Sequence, residues 1–428
     1  MTDILKTNKQ GVLTVGDADV SALAKEFGTP LFIMDEEHIV QNMRAYTKPM
    51  YEEYKGGGLV CYASKAFCIK EICRIAHREG LGLDVVSGGE LYTALSAGMP
   101  ADKICFHGNN KSAEELAMAF ENGVGRIVAD SEEELFILDA MAAEYKNPPK
   151  VLLRVKPGIE AHTHEFIQTG QEDSKFGVSL ASGDAVRLLS RNWEHLALAG
   201  VHCHIGSQIF EDVPFITAAE LMVKLLDDVH KICGRYLPEI NLGGGFGIRY
   251  TEADQPRPLQ EAMRATISGV EKACEKYGVP YPFLMVEPGR SIVGDAGITV
   301  YTIGTVKKIP GIRTYVAVDG GMADNPRYIM YQAAYDAVLP LQPHAARTEK
   351  VTICGKCCES GDILIRDILL PEVRRGDLLA VLSTGAYNYS MSSNYNRLAR
   401  PAVVMASKGK ARLCVRRESY EDLIKNDL

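Results

Sequence analysis

The stretch LVCYAS, residues 59–64, is the first of eight short apolar runs that recur up to residue 289. The other seven are LDVVS (83–87), ICFHG (104–108), RIVAD (126–130), VLLRVKPG (151–158), LAGVHCHIGS (198–207), INLGGG (240–245) and FLMVEPG (283–289). Between them lie segments such as KEICRIAHREG (70–80), with apolar residues three and four positions apart and a terminal glycine, which is typical of helices. Alternating strands and helices imply parallel pairing, and eight such units close into a (β/α)8 barrel of the TIM type. A doubly wound sheet would also alternate, so the rhythm alone leaves both folds open.

The pattern changes after residue 290. Six segments there have the composition of strands separated by turns: ITVYTIGTVKKI, TYVAVDG, KVTICG, DILIRDILL, DLLAVLS and RPAVVMAS. They predict a second, all-β domain, a β-barrel or β-sandwich. The N-terminal segment contains a strand candidate, GVLTV, and a helix candidate, DVSALAKEFG, and we expect it to join this domain. The predicted fold class is therefore α/β plus all-β, with the barrel at residues 33–289 and the β domain at 1–32 and 290–428.

Composition limits the function classes. The chain of 428 residues is 46% hydrophobic and 24% charged, with a net charge of −8, which disfavours general nucleic-acid binding. The N-terminus, MTDILKTNKQ, lacks the apolar core of a signal peptide, and no apolar run reaches the ~18 residues that a membrane helix needs. We therefore expect a cytoplasmic protein without membrane or nucleic-acid partners.

Eleven cysteines are scattered along the chain, and most are expected to be small buried apolar residues. The cluster CGKCC, residues 354–358, contains a CxxC pattern that is found in zinc and redox sites. A second CxxC and a nearby histidine cluster are missing from the sequence, which weakens both interpretations.

Polar residues collect where the predicted barrel strands end. Lys65 follows the first strand, Asp84 lies within the second, and His202 and His204 end the sixth. GGGFG (243–247) follows the seventh strand and Glu287 ends the eighth. Singly, each has an ordinary structural explanation: a solvated lysine, a tight turn, a salt bridge. Together they fall on the rim where barrels of this type carry their chemistry.

These residue types predict a site for pyridoxal 5′-phosphate (PLP). Glycine-rich backbone can approach a phosphate closely, and barrels favour phosphate sites after strands seven and eight. Lys65 can form a Schiff base with an aldehyde cofactor, and Glu287 can hold the pyridine nitrogen protonated so that the ring accepts electrons. His204 can stack on the ring. No metal is expected.

The alternative is a metal-dependent barrel hydrolase. His202 and His204 lie two positions apart on one face of a strand, as in many zinc sites. A third ligand is not evident at a matching strand end, and this alternative leaves Lys65, GGGFG and Glu287 without a role. We expect His202 to be a hydrogen-bonded core histidine.

Eight motifs in order resemble the diaminopimelate decarboxylases, PLP-dependent enzymes with an alanine-racemase-like barrel. They are YASKA (62–66), GLDVVSGGEL (82–91), HTHEFIQTGQEDSKFG (162–177), VHCHIGSQI (201–209), LGGGFG (242–247), EPGRSIVG (287–294), CESGD (358–362) and GAYNYSMSSNYN (385–396). The third and the last are particular to the diaminopimelate branch. The resemblance covers nearly the whole chain.

The resemblance implies a role for each matching residue. Lys65 would bind the cofactor covalently, His204 would stack on its ring, Glu287 would pair with its nitrogen, and Tyr387 would also reach it. The phosphate would be held by Ser207, Gly244, Gly245, Gly247 and the backbone of Glu287, Pro288, Gly289 and Arg290. The substrate would contact Arg290, Arg327, Tyr331, Glu359 and Tyr387.

The resemblance also implies a homodimer in which Cys358 and Glu359 enter the active site of the partner subunit. Cys358 would then be the acid that returns a proton after CO2 leaves, and Cys354 and Cys357 would be structural. Ala323 and Tyr328 depart from the residues common at their positions, Asn or Ser and Pro respectively. The functions of His162 and His164 stay unassigned.

The implied reaction is decarboxylation of meso-2,6-diaminopimelate to L-lysine, the last step of lysine biosynthesis. The alternatives are decarboxylation of another basic amino acid (ornithine, arginine, D-lysine or carboxynorspermidine), a non-catalytic PLP-binding homologue, and the metal hydrolase. Two arginines for the retained end of the substrate favour a retained carboxylate and hence diaminopimelate.

Overall fold

Residues 6–159 and 173–428 are described in the computed structural model. The chain divides into a barrel unit, Asn42–Gly247 with Pro256–Ser291, and a β unit, Met1–Gln41 with Ile248–Gln255 and Ile292–Leu428. The β unit includes residues 33–41 and 248–255, which the predicted limits assign to the barrel, and the domain limits stay a prediction. Within the described residues, no helix is long and apolar enough to span a membrane.

The N-terminal elements begin the β unit. They are β1 (Lys6–Thr7), β2 (Leu13–Val15), β3 (Ala18–Asp19), α1 (Val20–Phe27) and β4 (Leu31–Asp35), followed by α2 (Glu36–Glu52), which leads into the barrel unit. The Asp19 carboxylate accepts a hydrogen bond from the Ala22 N–H at 3.0 Å and so caps α1. The first three strands form a small antiparallel sheet.

Eight parallel strands close into a barrel, which confirms the predicted fold. They are β5 (Gly58–Ala63), β6 (Gly82–Val85), β7 (Ile104–Phe106), β8 (Arg126–Ala129), β9 (Lys150–Lys156), β11 (Leu198–His202), β12 (Glu239–Asn241) and β13 (Phe283–Val286). The ring closes because β13 pairs with β5 and β8 pairs with β9. A short additional strand, β10 (Val178–Ser179), pairs with β9. Each strand coincides with one apolar run, since strands buried on both faces are apolar throughout.

A cluster of buried side chains from six of the eight strands forms a core of the barrel unit. The cluster comprises Leu59, Cys61, Cys105, Val128, Leu152, Ala199 and Met285. Two of the eleven cysteines thus serve as buried apolar residues, as the sequence predicts, and all eleven are free.

Helices cover the outside of the barrel unit. They are α3 (Lys70–Arg78), α4 (Gly88–Ser96), α5 (Ala113–Glu121), α6 (Glu132–Ala142), α7 (Asp184–Ser190), α8 (Val213–Cys233) and α9 (Leu259–Tyr277). Three of them begin with the same Ser-x-x-Glu pattern, in which the serine hydroxyl accepts the N–H of the glutamate: Ser87 with Glu90, Ser112 with Glu115, and Ser131 with Glu134.

The remaining elements complete the β unit. They are α10 (Arg290–Val293), β14 (Gly297–Ile309), β15 (Arg313–Val318), α11 (Arg327–Tyr331), β16 (Ala337–Val338), β17 (Glu349–Cys354), β18 (Ile363–Leu370), β19 (Leu378–Val381), β20 (Ala402–Ser407), β21 (Lys410–Val415) and α12 (Tyr420–Ile424). The strands among them form one mixed sheet together with the N-terminal β4, in the order β18-β17-β15-β14-β4-β20-β21. In addition, β19 pairs with β14 and β16 pairs with β19. The N-terminal strand β4 therefore pairs with β14 and β20.

Candidate active site at the barrel rim and in the β unit

The predicted site residues fall into two groups, one in each unit. At the centre of the barrel group lies Glu287, which directly follows β13 and is 6% exposed. Its Oε1 atom lies 2.7 Å from His107 Nε2 and accepts a hydrogen bond from Asn241 Nδ2 at 2.5 Å. Its Oε2 atom lies 3.2 Å from His202 Nε2. The carboxylate is therefore oriented by three neighbouring side chains, and the predicted core histidine His202 is one of them.

These three neighbours come from the ends of other strands. His107 directly follows β7, His202 ends β11 and Asn241 ends β12. Parallel pairing places His202 opposite Asn241 and Asn241 opposite Met285, so the ends of β11, β12 and β13 lie at nearly the same level. The rule that chemistry lies at the carboxyl ends of barrel strands thus has a direct structural cause here, which is the register.

The electrostatics keep Glu287 charged. Burial alone would raise its pKa, but the close contacts with His107 and His202, through hydrogen bonds to both carboxylate oxygens, hold the pKa of Glu287 well below its ordinary value. Burial lowers the pKa of His202 to about 3, so this histidine is a neutral hydrogen-bonding partner at neutral pH. A fixed, ionised carboxylate is what a protonated pyridine nitrogen requires.

Lys65 lies exposed in the short 3-10 turn Ser64–Ala66 that follows β5. The hydroxyl of Ser64 lies 2.7 Å from the Asp84 carbonyl oxygen and 2.9 Å from Glu90 Oε2, which fixes this turn against β6 and α4. Burial raises the pKa of Asp84, while the charges of His107 and Lys65 oppose the rise. The lysine is thus presented from a rigid support toward the acidic residues of the rim.

His204 lies two residues beyond the end of β11 and meets the glycine-rich loop. Its Nδ1 atom accepts a hydrogen bond from the Gly244 N–H at 3.3 Å. Burial, and then the charge of Lys65, lower the pKa of His204 well below its ordinary value. The ring is therefore neutral, as a ring stacked on a pyridinium should be.

The glycines of the loop are required by close packing. A Cβ atom at Gly244 would lie 2.2 Å from the Glu287 carbonyl oxygen, and at Gly247 it would lie 2.5 Å from the Phe210 ring. Gly245 has a φ of +118°, which side chains rarely adopt. The described hydrogen bonds of this loop use the Gly245 carbonyl and the Gly247 N–H but not the N–H groups of Gly245 and Phe246, which leaves two backbone donors for an anion.

The stretch Pro288-Gly289-Arg290 joins the loop to the turn of Lys65. The Ala63 N–H donates to the Pro288 carbonyl at 3.2 Å, and a Cβ atom at Gly289 would lie 2.9 Å from that of Ala63. Arg290 Nη2 donates a hydrogen bond to the Ser207 hydroxyl at 2.9 Å, so the guanidinium group and the hydroxyl group lie side by side.

Taken together, the barrel group fits PLP by the chemistry of its donors. It offers an amine on a rigid turn, a neutral ring, an anchored carboxylate, and backbone, hydroxyl and guanidinium donors for a phosphate. Of the predicted cofactor residues, the structure places all but Tyr387 in this unit.

In the β unit, the predicted substrate residue Arg327 begins α11 and is 7% exposed. Its Nη1 atom donates to the hydroxyl of Tyr335 at 2.6 Å and to that of Tyr250 at 3.2 Å. The guanidinium also lies 5.9 Å from the ring centroid of the predicted Tyr387. A buried arginine without a carboxylate among its described partners is suited to bind one from a ligand.

Cys358 and Glu359 lie exposed on the loop between β17 and β18. The Cys358 N–H donates to Asn396 Oδ1 at 2.7 Å, and the Cys357 N–H donates to Asp362 Oδ2 at 2.8 Å. Tyr331 ends α11 and is half-buried. The predicted His162 and His164 lie outside the described residues.

Comparison with known proteins agrees with this site. The sequence model of the pyridoxal binding domain of pyridoxal-dependent decarboxylases matches residues 36–294. A curated diaminopimelate decarboxylase from Bacillus subtilis (strain 168) is 51% identical over 99% of this chain and 97% of its own length. The chain belongs to the diaminopimelate decarboxylase family.

Other relatives extend this result. The diaminopimelate decarboxylase of Synechocystis sp. is 46% identical over 98% of this chain and 91% of its own. The crystal structure of the M. jannaschii diaminopimelate decarboxylase in complex with L-lysine is 36% identical, with a TM-score of 0.91, and covers 100% of this chain and 98% of that one. Family membership confirms the predicted PLP cofactor and the predicted decarboxylase class.

The hydrolase alternative was based on His202 and His204 as metal ligands. Among residues 6–159 and 173–428, the cluster of side chains spaced for a metal ion is Cys105, His107 and Glu287, all within 4.8 Å of one another. The predicted pair His202 and His204 does not form such a cluster in this part of the chain.

Several residues of the site were missed by the sequence analysis. His107 and Asn241 follow or end strands whose apolar runs were recognised, so the strand-end rule could have identified both. Tyr250 and Tyr335 lie in loops, and no local pattern distinguishes them from ordinary polar residues. Asn396 ends the motif GAYNYSMSSNYN, but the resemblance assigned it no role.

Proposed function

We propose that this protein decarboxylates meso-2,6-diaminopimelate to L-lysine and CO2 in the last step of lysine biosynthesis. The observation that carries the proposal is the 51% identity to a curated diaminopimelate decarboxylase over nearly the full length of both chains. The buried Arg327 supports it, because a substrate that retains a carboxylate needs a cation of this kind.

When bound, PLP supplies an electron sink for the carbanion that remains after CO2 leaves. Lys65 would hold the cofactor covalently, and the neutral His204 would lie against its ring. The N–H groups of Gly245 and its neighbours, together with Ser207 and Arg290, would bind the phosphate. The remaining predicted phosphate contacts, Gly244, Gly247, Pro288 and Gly289, form the close-packed backbone around it.

Glu287 keeps a proton on the pyridine nitrogen. Its carboxylate is ionised and cannot rotate freely, because both oxygens are hydrogen-bonded within 3.2 Å. A fixed anion in a dry site stabilises a facing cation more than a solvated one would.

Arg327 and Arg290 bind the carboxylate that the substrate retains, assisted by the hydroxyl groups of Tyr331 and Tyr387. Planar guanidinium groups grip a carboxylate through two parallel hydrogen bonds, which selects one end of a nearly symmetric substrate. Glu359 pairs with the ammonium at that same retained end.

Cys358 returns a proton to the carbon from which CO2 has left. We propose that it does so, with Glu359, in the active site of a second copy of the chain in a cytoplasmic homodimer. Both side chains are exposed in the single chain, and Ile329 and Met330 beside their loop are exposed apolar residues. Ile329 lies against this loop, since a Cβ atom at Gly361 would be 3.0 Å from it.

A product assay tests the reaction. PLP-loaded protein is incubated with meso-diaminopimelate and separately with ornithine, arginine and D-lysine, and CO2 and amine products are followed by mass. We expect lysine from diaminopimelate only. Product from another amino acid would overturn the substrate assignment but keep the role of Lys65, and no product from any of the four would overturn the decarboxylase proposal.

A variant tests the substrate contact. Arg327→Ala should lower kcat/KM for diaminopimelate about 100-fold or more, because a charge-assisted bidentate contact is lost, while the cofactor absorbance stays unchanged. The matched control is Arg347→Ala, which removes a more exposed arginine paired with Asp336 in the same unit. Equal activity of Arg327→Ala and the wild type would refute the assignment.

A further inference from the structure

The SSNYN segment, residues 392–396, has no role in the proposed function, although its motif is particular to the diaminopimelate branch. Its last residue, Asn396, and the following Arg397 have φ values of +51° and +56°. Two successive residues other than glycine in this left-handed region are uncommon, and such backbone persists where its surroundings hold it.

The C-terminal segment of the chain provides this support from one side. Arg397 Nη1 donates to the Leu423 carbonyl oxygen at 2.6 Å, and its Nη2 lies 3.0 Å from Asp427 Oδ2. Asn394 Nδ2 donates to Glu418 Oε2 at 2.6 Å. The segment and the following Arg397 are therefore anchored to residues 418–427 through three hydrogen bonds.

On its other side the segment holds two parts of the proposed substrate site. Asn396 Oδ1 accepts the Cys358 N–H at 2.7 Å. The Ser393 N–H donates to the Ala323 carbonyl oxygen at 2.8 Å, four residues before Arg327. All of these residues belong to the β unit.

The bond to Cys358 has a buried counterpart. The Cys357 N–H is held by Asp362, which also accepts the Met322 N–H at 2.7 Å and is 3% exposed. Two successive amides of the loop are thus bound by side chains, one from the protein interior and one from the surface. Without the outer bond, the Cys358 N–H loses its described acceptor, while the Cys357 N–H stays bound to Asp362.

We propose that Asn396 is a positioning residue that holds the backbone of Cys358, so that the thiol reaches one defined position in the partner active site. The inference rests on the proposed function of Cys358. A proton donor on an exposed loop gains rate from being fixed, since displacement by about 1 Å can cost about 100-fold in rate.

Three variants separate positioning from folding. Asn396→Gly removes the acceptor but tolerates the positive φ, whereas Asn396→Asp keeps an oxygen acceptor in place. Lys408→Gly is the matched control, because Lys408 is exposed, has a φ of +51° and lies in the turn between β20 and β21. We expect kcat for diaminopimelate to fall about tenfold in Asn396→Gly with KM and cofactor absorbance unchanged. Asn396→Asp should lie within about threefold of the wild type, and Lys408→Gly should equal it.

A second measurement does not depend on activity. Amide hydrogen exchange of the peptide that contains Cys358 should be faster in Asn396→Gly holoenzyme than in the wild type and in Lys408→Gly. The inference is overturned if exchange is unchanged, if kcat is unchanged, or if Asn396→Asp is as impaired as Asn396→Gly.

Cys358→Ser distinguishes failure of this inference from failure of the proposed function. Loss of kcat in Cys358→Ser together with full kcat in Asn396→Gly overturns the positioning role alone. Full kcat in Cys358→Ser overturns the acid role of Cys358 and, with it, the inference.

Discussion

The barrel unit and the β unit position their chemical groups in different ways. In the barrel unit, Glu287 and Asn241 lie buried at the ends of neighbouring strands whose register fixes their spacing, and the closed barrel brings His107 to them from β7. In the β unit, Cys358 is exposed on a loop whose amides are held by side chains distant in sequence. We therefore expect a substitution at the strand ends of the barrel unit to change the reaction through altered charge. We expect a substitution near Cys358 to change it through displacement of the thiol.

Glu287→Gln should produce the largest effect. The amide keeps the shape of the carboxylate but not its charge, so the pyridine nitrogen loses the anion that keeps it protonated. We expect kcat/KM for diaminopimelate to fall about 1,000-fold, with a changed cofactor absorbance spectrum. A loss of kcat/KM below about tenfold would show that the charge of Glu287 contributes little to the reaction.

Glu239→Gln should lower stability and leave turnover unchanged, unlike Glu287→Gln. Glu239 begins β12 at the other end of the barrel and lies 2.6 Å from Arg126 Nε and 2.5 Å from Lys150 Nζ. Neutralising it leaves the buried Arg126 without a counter-charge, which should lower the free energy of unfolding by about 3 kcal/mol. The kcat of the folded fraction should stay unchanged.

Denaturant unfolding of the apo and PLP-loaded protein checks this expectation. Glu132→Gln is the control, because it breaks an exposed ion pair with Arg187 and should leave stability nearly unchanged. A large loss of kcat in Glu239→Gln would contradict the expectation that the Glu239 end of the barrel serves stability and the Glu287 end serves catalysis.

The comparison also shows how far the sequence could predict the structure. Each barrel strand was evident as an apolar run, and Lys65, His204 and Glu287 follow strands as the rule requires. Their partners depend on strand order, on register and on the closure of the barrel, which brings the ends of non-adjacent strands together. His107 and Glu287 are 180 residues apart in sequence yet 2.7 Å apart in space.

The β unit was less predictable, because its sheet order β18-β17-β15-β14-β4-β20-β21 joins distant parts of the chain. A local pattern cannot indicate that Tyr250 meets Arg327 or that Asn396 meets Cys358. The family resemblance supplied the roles of Arg327 and Cys358, but it did not supply the residues that hold them in place.

Tyr335→Phe tests one of these holding contacts. Tyr335 is 4% exposed, and its hydroxyl accepts from Arg327 and donates to Asn388 Oδ1 at 3.2 Å. Removing it frees the guanidinium, and loss of a charged hydrogen bond should raise KM for diaminopimelate about tenfold with kcat little changed. Tyr420→Phe, at an exposed tyrosine of the same unit, is the control. An unchanged KM in Tyr335→Phe would mean that Arg327 is held by its other contacts alone.

Asp324→Asn should have the smallest effect, and it should depend on pH. Asp324 is 3% exposed, accepts hydrogen bonds from Tyr301 and Gly321, and its pKa is raised to about 7, mainly by burial. Because the folded state binds this proton more tightly than the unfolded state, wild-type stability falls as pH rises toward and through 7. The neutral asparagine escapes this loss, so its stability relative to the wild type should improve by about 1 kcal/mol between pH 6 and pH 8. Denaturant unfolding at these two pH values measures the difference, with Glu372→Gln, at an exposed glutamate, as the control. A pH-independent difference for Asp324→Asn would mean that the carboxylate is already ionised in the folded protein at pH 6, and that its hydrogen-bond donors outweigh burial, as the partners of Glu287 do in the barrel unit.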